Sequence, residues 1–284
     1  EDCYNFTNLS GGVSMGIHES QSRFYENLMG RSRAFIQAVF PKIQQLFPEQ
    51  LKAVDAEMFY KAVNKAQPSL IRTEADELTY ALHVMVRYEI EKQLIGGDLE
   101  VKDVPQTWNA LYKEYLGVDV PDDKHGCLQD SHWSGGSIGY FPSYALGSAY
   151  GAQMIAKMRE DLDVEAVIAS GSLKPIVDWL GERIHQHASM YDPEELFEMV
   201  CGAPFDPTYY VEYLEKKFKE VNEAYSILGD AEKKAKYDAI IADIVNDMMT
   251  LHYKEDLKCV LETVNLDGSI LDNPAGRTIN PGHS

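Results

Sequence analysis

Apolar residues recur every three or four positions along most of the chain, the spacing that places them on one face of an α-helix. One long helix is predicted from Ile71 to the Gly96-Gly97 pair, with apolar positions at Ile71, Ala75, Leu78, Leu82, Met85 or Val86, and Ile90. The same spacing predicts helices over about 20–46, 144–161, 173–187, 193–201, 207–228 and 231–252. The alternation typical of β-strands is scarce. The pattern therefore predicts an all-α fold with an irregular C-terminal tail.

Two predicted helices carry polar stripes on a face that a simple amphipathic helix would bury. Near the start of the chain Glu19, Arg23 and Glu26 fall at i, i+4 and i+7. In the helix predicted from Ile71 the corresponding stripe is Arg72, Asp76, Thr79, His83 and Arg87. Such a stripe either faces a cavity or a polar network, or belongs to a wide solvated surface with i,i+4 pairs such as Arg72 and Asp76. Spacing alone leaves both interpretations open.

The stretch from Gly117 to Pro142 interrupts the helical pattern with five glycines and few apolar repeats. Long irregular segments in compact domains often carry function. Acid, base and hydrogen-bonding groups are concentrated here, at Gln129, Asp130, His132, Trp133, Tyr140 and Tyr144. They could converge so that an imidazole and a phenol stabilise an oxyanion. Alternatively, the loop is structural, with Asp130 capping backbone amides and Trp133 filling the core.

The composition limits the classes of molecule that this protein is expected to bind. With 284 residues and 45% hydrophobic content the chain can bury a core, and its formal net charge of −19 argues against a nucleic-acid surface. No apolar run approaches the ~20 residues that span a bilayer, and the first residues lack a signal-peptide pattern. The four cysteines form no CxxC pair. We therefore predict a cytoplasmic protein with no nucleic-acid and no membrane partner.

Three short motifs in this order resemble the carboxypeptidase Taq family of metallocarboxypeptidases. They are HESQ at 18–21, IRTEAD at 71–76 for the family's IRxxAD, and GCLQDSHW at 126–133 for GxxQDxHW. Text between and after them, including ENLMGRS, GYFPSYALGSAYGAQ and DWLGERIHQHASMYDPEEL, is also similar to the family through about residue 221. The resemblance implies a helical domain over 1–221 with a cleft-type active site.

The resemblance also implies a reaction and the residues that carry it. The family removes C-terminal amino acids from peptides with one divalent metal, zinc or cobalt, so the implied partners are peptide C-termini, and a homodimer is compatible with it. Glu19 would be a metal ligand, Arg72 and Gln129 would bind substrate, and His132 with Tyr140 or Tyr144 would polarise the scissile carbonyl or hold its oxyanion. Orienting roles would fall to His18, Gln21, Asp76 and Asp130, with Arg23 and Glu26 as further candidates.

One departure from the family pattern concerns the metal. The family's other two ligands are histidines of an HExxH helix, whose glutamate activates water, and no HExxH occurs in this sequence. Catalytic zinc normally takes three protein ligands. We therefore expect this chain by itself to carry an incomplete and inactive site, as a fragment of a longer protein, a natural fusion or an artificial product.

The last part of the sequence resembles two other families. FKEVNEAYSILGDAEKKAKYD, at 218–238, is similar to the third and fourth helices of a DnaJ-type J-domain, although no HPD tripeptide is present. Residues 239–284, which end in NPGH with His283, resemble a section of N-acylglucosamine 2-epimerase-like proteins. The alternatives are thus a J-domain-like module over 222–238 that binds a chaperone, and an epimerase fragment over 239–284. Packing of Tyr225 and Leu228 in a terminal helix is the structural alternative for the first.

Overall fold

The computed structural model describes residues 4–221, and every regular element in that range is helical, as predicted. The α-helices are α1 Met15–Arg23, α2 Arg33–Leu46, α3 Pro48–Leu51, α4 Ala56–Val63, α5 Tyr80–Gly96, α6 Val104–Leu116, α7 Pro142–Asp161, α8 Val164–Ala169, α9 Lys174–Arg183, α10 Pro193–Cys201 and α11 Thr208–Val221. Short 3₁₀ turns cover Arg72–Glu74, Val101–Asp103 and His185–His187. No helix in the described range is long and apolar enough to cross a membrane.

The single helix predicted over 20–46 is wrong, because the chain forms two helices there. α1 continues into a π-helical segment, Phe24–Met29, and the backbone then turns through Gly30 before α2 begins. Ser32 is the N-cap of α2, and its side chain accepts a hydrogen bond from the Phe35 amide. The wider π turn carries Phe24, Asn27, Leu28 and Met29 into the interior.

The helix predicted from Ile71 begins nine residues later, at Tyr80. Arg72–Glu74 is a 3₁₀ turn, and the backbone of Ala75 is extended with ψ 146°. Asp76 accepts hydrogen bonds from the amide and hydroxyl of Thr79, which occupies the N-cap position of α5. These local bonds favour a turn over a helix. Arg72 and Asp76 therefore do not share a helical face with His83 and Arg87.

Helix α7 is the central element, and α1 lies against it in very close contact. Gly147 of α7 faces the backbone of Glu19, where an added Cβ would come within 2.6 Å of the Glu19 carbonyl carbon. At Gly151 a Cβ would come within 2.9 Å of Leu28 Cδ1. The core around this contact includes Phe24, Leu146, Tyr150 and further side chains of α5, α6, α9 and α10. The glycines of α7 thus hold α1, and the side chains it carries, at a fixed depth.

The later helices follow the predicted positions more closely. Helix α10 has the predicted bounds, with Pro193 in its first turn and Gly202 in the left-handed region at its end, φ 71°. Helix α7 agrees to within two residues, whereas α9 ends at Arg183 and gives way to a 3₁₀ turn. The end of the helix predicted over 207–228, the helix predicted over 231–252 and the segments proposed at 222–238 and 239–284 lie outside the described residues.

Candidate active site

Glu19 is a buried carboxylate on the face of α1 that meets α7. Its Oε2 accepts a hydrogen bond from the Ser22 hydroxyl at 2.7 Å, and its Oε1 accepts one from the Tyr140 hydroxyl at 2.6 Å. Burial and the nearby Glu19 carboxylate both raise the pKa of Tyr140. Tyr140 is therefore a neutral phenol at neutral pH. The irregular loop and α1 are joined at this point through one strong, charge-assisted hydrogen bond.

His132 and Tyr144 meet beside that contact. His132 Nε2 and the Tyr144 hydroxyl oxygen are 3.0 Å apart, and the rings of Tyr140 and Tyr144 are in edge-to-face contact at 5.3 Å. Burial, and next the charge of Arg72, lower the pKa of His132, so its imidazole is neutral at neutral pH. Its buried Nδ1 has no hydrogen-bond partner within residues 4–221. A neutral imidazole and two neutral phenols thus lie in one aromatic cluster.

Arg72 reaches the same cluster from the 3₁₀ turn. Its guanidinium lies 4.8 Å from the centre of the Tyr144 ring. Its Nη1 donates to the Tyr80 hydroxyl at 2.7 Å, while Nε and Nη2 donate to Asp130 Oδ1 at 3.0 and 2.7 Å. The three residues singled out by the sequence motifs, Glu19, Arg72 and His132, are therefore brought together around Tyr140 and Tyr144.

Asp130 and Gln129 form the base that holds Arg72. Asp130 Oδ2 accepts from Nε of Arg87 at 2.7 Å, so one carboxylate joins two buried guanidiniums. Burial would raise the pKa of Asp130, but the hydrogen bond from Arg72 and the charges of both arginines outweigh it and hold the pKa below its usual value. The interpretation of Asp130 as a backbone cap is wrong.

The Gln129 side chain binds protein groups on both sides. Its Oε1 accepts from the Arg72 amide and from Arg87 Nη2, both at 2.8 Å. Its Nε2 donates to the carbonyls of Leu70 and His125 at 3.0 Å. This geometry gives Gln129 a role in fixing the Arg72 turn, and substrate contact by its side chain would require breaking those bonds.

Three residues predicted to orient the site lie apart from the cluster. His18 is exposed on α1. Gln21 bonds His185 Nε2 at 2.9 Å and Ser20, and Asp76 binds the amide of Gln67 as well as Thr79. The contacts of Gln21 and Asp76 are those of residues that fix local backbone and helix packing.

Most residues of the two polar stripes are buried, so the solvated-surface interpretation is wrong for them, whereas Glu26 is exposed. Arg72, Thr79, His83 and Arg87 are each at most 5% exposed. On α1, Glu19 is buried, and the Arg23 side chain is 11% exposed. Arg72 pairs with Asp130 rather than with Asp76. The stripes face a polar network and a cavity inside the molecule.

Sequence reasoning missed Tyr80 and the partners of two buried carboxylates. The Tyr80 hydroxyl accepts from both Arg72 and Arg23. Glu91 accepts from the Trp133 indole at 2.8 Å, and Glu77 binds Tyr213 and Lys217 of α11. The partners of Glu91 and Glu77 are 42 to 140 residues away in the sequence, so no local spacing could reveal them. Trp133 itself packs against Trp108 and Phe141, as the structural interpretation of the loop predicted.

The residues present supply one good metal ligand and no complete metal site. Glu19 is buried with hydroxyl partners, a setting in which a bound cation would neutralise its charge. Within the described range no group of three His, Cys, Asp or Glu side chains could hold a metal ion. The sequence contains no HExxH. This donor set does not fit a catalytic zinc, which takes three protein ligands.

Comparisons with known proteins identify the family. The model for carboxypeptidase Taq (M32) metallopeptidases matches residues 1–218. Carboxypeptidase 1 of Bacillus subtilis is 45% identical over 222 residues, which are 78% of this chain and 44% of that protein. Thermostable carboxypeptidase 1 of Thermus thermophilus is 45% identical over 207 residues, 72% of this chain and 40% of that protein.

A solved structure agrees in fold. The M32 carboxypeptidase from Deinococcus radiodurans R1 matches with a TM-score of 0.74 and 43% identity, over 78% of this chain and 45% of that one. The chain thus spans less than half the length of the relatives it matches. With the helical fold and the motif residues gathered around Tyr140 and Tyr144, the chain belongs to the carboxypeptidase Taq (M32) family of metallopeptidases.

Proposed function

We propose that this chain contributes the substrate-binding half of a metal-dependent carboxypeptidase, which releases C-terminal amino acids from peptides. The observation that carries the proposal is the meeting of Glu19, Arg72 and His132 around one pair of tyrosines. The names of the relatives support the reaction class. A single divalent metal, zinc or cobalt, would bind Glu19 together with two histidines from an HExxH segment that this sequence lacks.

Arg72 is the proposed site for the terminal carboxylate of the peptide. A guanidinium has five N–H donors, and Asp130 and Tyr80 take three of those of Arg72. One N–H remains on each terminal nitrogen, which is the arrangement that binds a carboxylate in a bidentate manner. Asp130 and Gln129 keep this fork at a fixed position.

His132, Tyr140 and Tyr144 are proposed to act on the scissile carbonyl. At neutral pH both phenols are protonated, because burial raises the pKa of each tyrosine. A protonated phenol can donate to a carbonyl oxygen and bind it more strongly as negative charge develops. His132 would hold the Tyr144 hydroxyl in place through Nε2. Gln129 and Asp130 would hold Arg72 in place without touching substrate. Gln21, His18 and Asp76 lie apart from these groups and would have only indirect roles.

Complementation tests the proposal. The purified chain is mixed with an HExxH-bearing portion of a family member, and zinc content and release of the C-terminal residue are measured. We expect activity from the mixture only, and only on peptides with a free C-terminal carboxylate. Glu19→Gln should lower the amount of bound zinc. Arg72→Ala should mainly raise KM, because the terminal carboxylate would lose a charged hydrogen bond that contributes a few kcal/mol of binding free energy. Unchanged zinc content in Glu19→Gln would contradict the role of Glu19.

The cytoplasmic location, the homodimer and the absence of nucleic-acid and membrane partners stay predictions from the sequence. The acidic charge of −19 supports the exclusion of nucleic acid. Sedimentation of the purified chain would measure the oligomeric state. The proposed J-domain-like and epimerase-like segments concern residues outside the described range, and no contact described above favours either function.

A further inference from the structure

A polar cavity of about 200 Å³ lies between the π turn after α1 and the turn that carries Arg72. Its lining includes three guanidiniums and two carboxylates, those of Arg23, Arg31, Arg72, Glu26 and Glu77, together with Tyr80. Asp130 forms an ion pair with Arg72, and Lys217 forms one with Glu77, so the charges of these two cavity residues are neutralised. The charges that remain toward the cavity favour an anionic guest over an apolar one.

Tyr80 is arranged as a hydrogen-bond donor to such a guest. Its hydroxyl oxygen accepts from Arg23 Nη2 at 2.6 Å and from Arg72 Nη1 at 2.7 Å. Two cationic donors use both lone pairs of that oxygen, so its own proton is left to donate. Burial raises the pKa of Tyr80, which keeps that proton in place. Two guanidiniums and one O–H therefore meet at the cavity wall.

Arg23 is held in position but is only loosely paired. Its guanidinium lies 4.3 Å from the centre of the Tyr80 ring and 5.3 Å from that of Tyr144. Its buried Nε has no hydrogen-bond partner within the described residues. Its Nη1 binds Glu26 at 2.8 Å, and the Glu26 side chain is 48% exposed. An ion pair with so exposed a partner is weak and can be exchanged at small cost.

Arg23 stands on the same face of α1 as Glu19. It follows Glu19 by four residues, about one helical turn, which is a rise of ~6 Å along the helix. Glu19 contacts Tyr140 and Arg23 contacts Tyr80, so both side chains leave α1 toward the proposed site.

We propose that Arg23 is a second carboxylate-binding residue, which binds the terminal carboxylate of the peptide together with Arg72 across the shared Tyr80 hydroxyl. This inference rests on the carboxypeptidase function proposed above. In the free protein Glu26 occupies a donor of Arg23, and the carboxylate of the peptide displaces it.

Ligand-observed NMR titration of the full 284-residue chain tests this without metal or activity. The probes are an N-acetylated dipeptide with a free carboxylate and the same dipeptide as its C-terminal amide. We expect the wild type to prefer the acid, and Arg23→Gln to reduce that preference roughly 10- to 100-fold, the loss expected for a charged hydrogen bond. Glu26→Gln, which removes the competing carboxylate, should strengthen binding of the acid.

Two control variants separate specific binding from general charge. Arg183 also lies over an aromatic ring, Trp179, and pairs with a carboxylate, Asp161, but stands on α9. Arg183→Gln should leave the preference for the acid unchanged. Arg31→Gln removes one positive charge from the cavity wall without touching Tyr80, and should have a much smaller effect than Arg23→Gln. Equal effects of Arg31→Gln and Arg23→Gln would overturn the inference.

The remaining outcomes distinguish this inference from the proposed function. If Arg72→Gln abolishes the preference for the acid and Arg23→Gln keeps it, the inference fails and the carboxypeptidase proposal stands. If the wild type binds acid and amide equally, both fail. If Arg23→Gln loses the helical circular dichroism signal, that variant does not fold, and Arg23→Lys and Glu26→Gln are used to test the inference instead. Weaker acid binding in Arg23→Lys together with stronger binding in Glu26→Gln supports the inference, and any other pair of results overturns it.

Discussion

His83 is a fully buried imidazole whose pKa is affected by two arginines of the site, Arg87 and Arg72. Its Nδ1 lies 3.1 Å from the Tyr112 hydroxyl, which donates its own proton to the Leu70 carbonyl. That arrangement assigns the imidazole proton to Nδ1. Burial, and next the charges of Arg87 and Arg72, lower the pKa of His83 to about 3. The folded protein therefore holds His83 neutral over the whole range in which an unfolded histidine becomes charged.

The low pKa of His83 predicts loss of stability in mild acid. The contribution of a neutral histidine is fully present above the unfolded pKa of ~6.5 and is lost as the pH falls from there toward about 3, at ~1.4 kcal/mol per pH unit. His83→Asn keeps a donor near Nδ1 and cannot become charged. Urea unfolding at pH 7.5, 6.5, 5.5 and 4.5 should give a steeper loss for wild type than for this variant. Parallel profiles would contradict the assignment.

Asp130 is a carboxylate shared by two buried guanidiniums, which predicts a large effect of removing its charge. Asp130→Asn leaves Arg72 and Arg87 without their counter-ion, and the free energy of unfolding should fall by about 3–5 kcal/mol. The matched control is Asp122→Asn, because Asp122 pairs with His125 at the surface and little change is expected there. Urea midpoints at neutral pH measure both. A small effect in Asp130→Asn would show that the pair of arginines does not depend on this carboxylate.

At the scale of elements, Gly147 sets the depth at which α1 carries Glu19. An added Cβ would lie 2.6 Å from the Glu19 carbonyl carbon and 2.8 Å from the Ser20 amide nitrogen, distances that force the two helices apart. Gly147→Ala should therefore lower the free energy of unfolding by about 1–3 kcal/mol, as overpacking does. Gly181 on α9 has nothing within 4 Å of such a Cβ.

Gly181→Ala should thus stabilise the fold by up to about 1 kcal/mol, the usual gain from alanine in a helix. The opposite signs of these two glycine substitutions can be measured in one urea series. The same sign for both would mean that α1 and α7 adjust freely. In that case the close contact of these helices could not be what fixes the position of Glu19.

The sequence predicts helix positions well where a local signal ends the helix. Pro193 and Gly202 delimit α10 as predicted. The break between α1 and α2 also has a local signal, because Ser32 is the N-cap of α2. The apolar spacing continues across this break, so the periodicity predicted a single helix. The late start of α5 depends on bonds from Gln67 and Thr79 to Asp76, which periodicity does not report.

The site could be predicted from the sequence only in part. The motifs single out Glu19, Arg72, Asp130 and His132, and the structure places these residues around one pair of tyrosines. The contacts between motifs join residues up to 121 positions apart, as for Glu19 and Tyr140. The sequence did not indicate a role for Tyr80, because that role depends on Arg23 and Arg72 both donating to its hydroxyl.

At the scale of the whole described molecule, α11 connects the Arg72 turn to α7. Lys217 and Tyr213 of α11 both donate hydrogen bonds to the buried Glu77, five residues after Arg72. Tyr210, Leu214 and further side chains of the same helix pack on Ala149 and Ala152 of α7. A buried ion pair is therefore part of the link between the cavity wall and the central helix.

This link predicts a non-additive pair of substitutions. Lys217→Met leaves the Glu77 carboxylate buried with only Tyr213 as a partner, and should cost about 3–5 kcal/mol of unfolding free energy. Adding Glu77→Gln removes the uncompensated charge, so the double variant should be more stable than Lys217→Met alone. Lys219→Met is the matched control, because Lys219 on the same helix pairs with Glu215 at the surface and should change little. Additive effects in the cycle would mean that Lys217 and Glu77 stabilise the fold independently. Since Glu77 also lines the cavity, Lys217→Met should in addition weaken binding of the free-acid dipeptide more than Lys219→Met does.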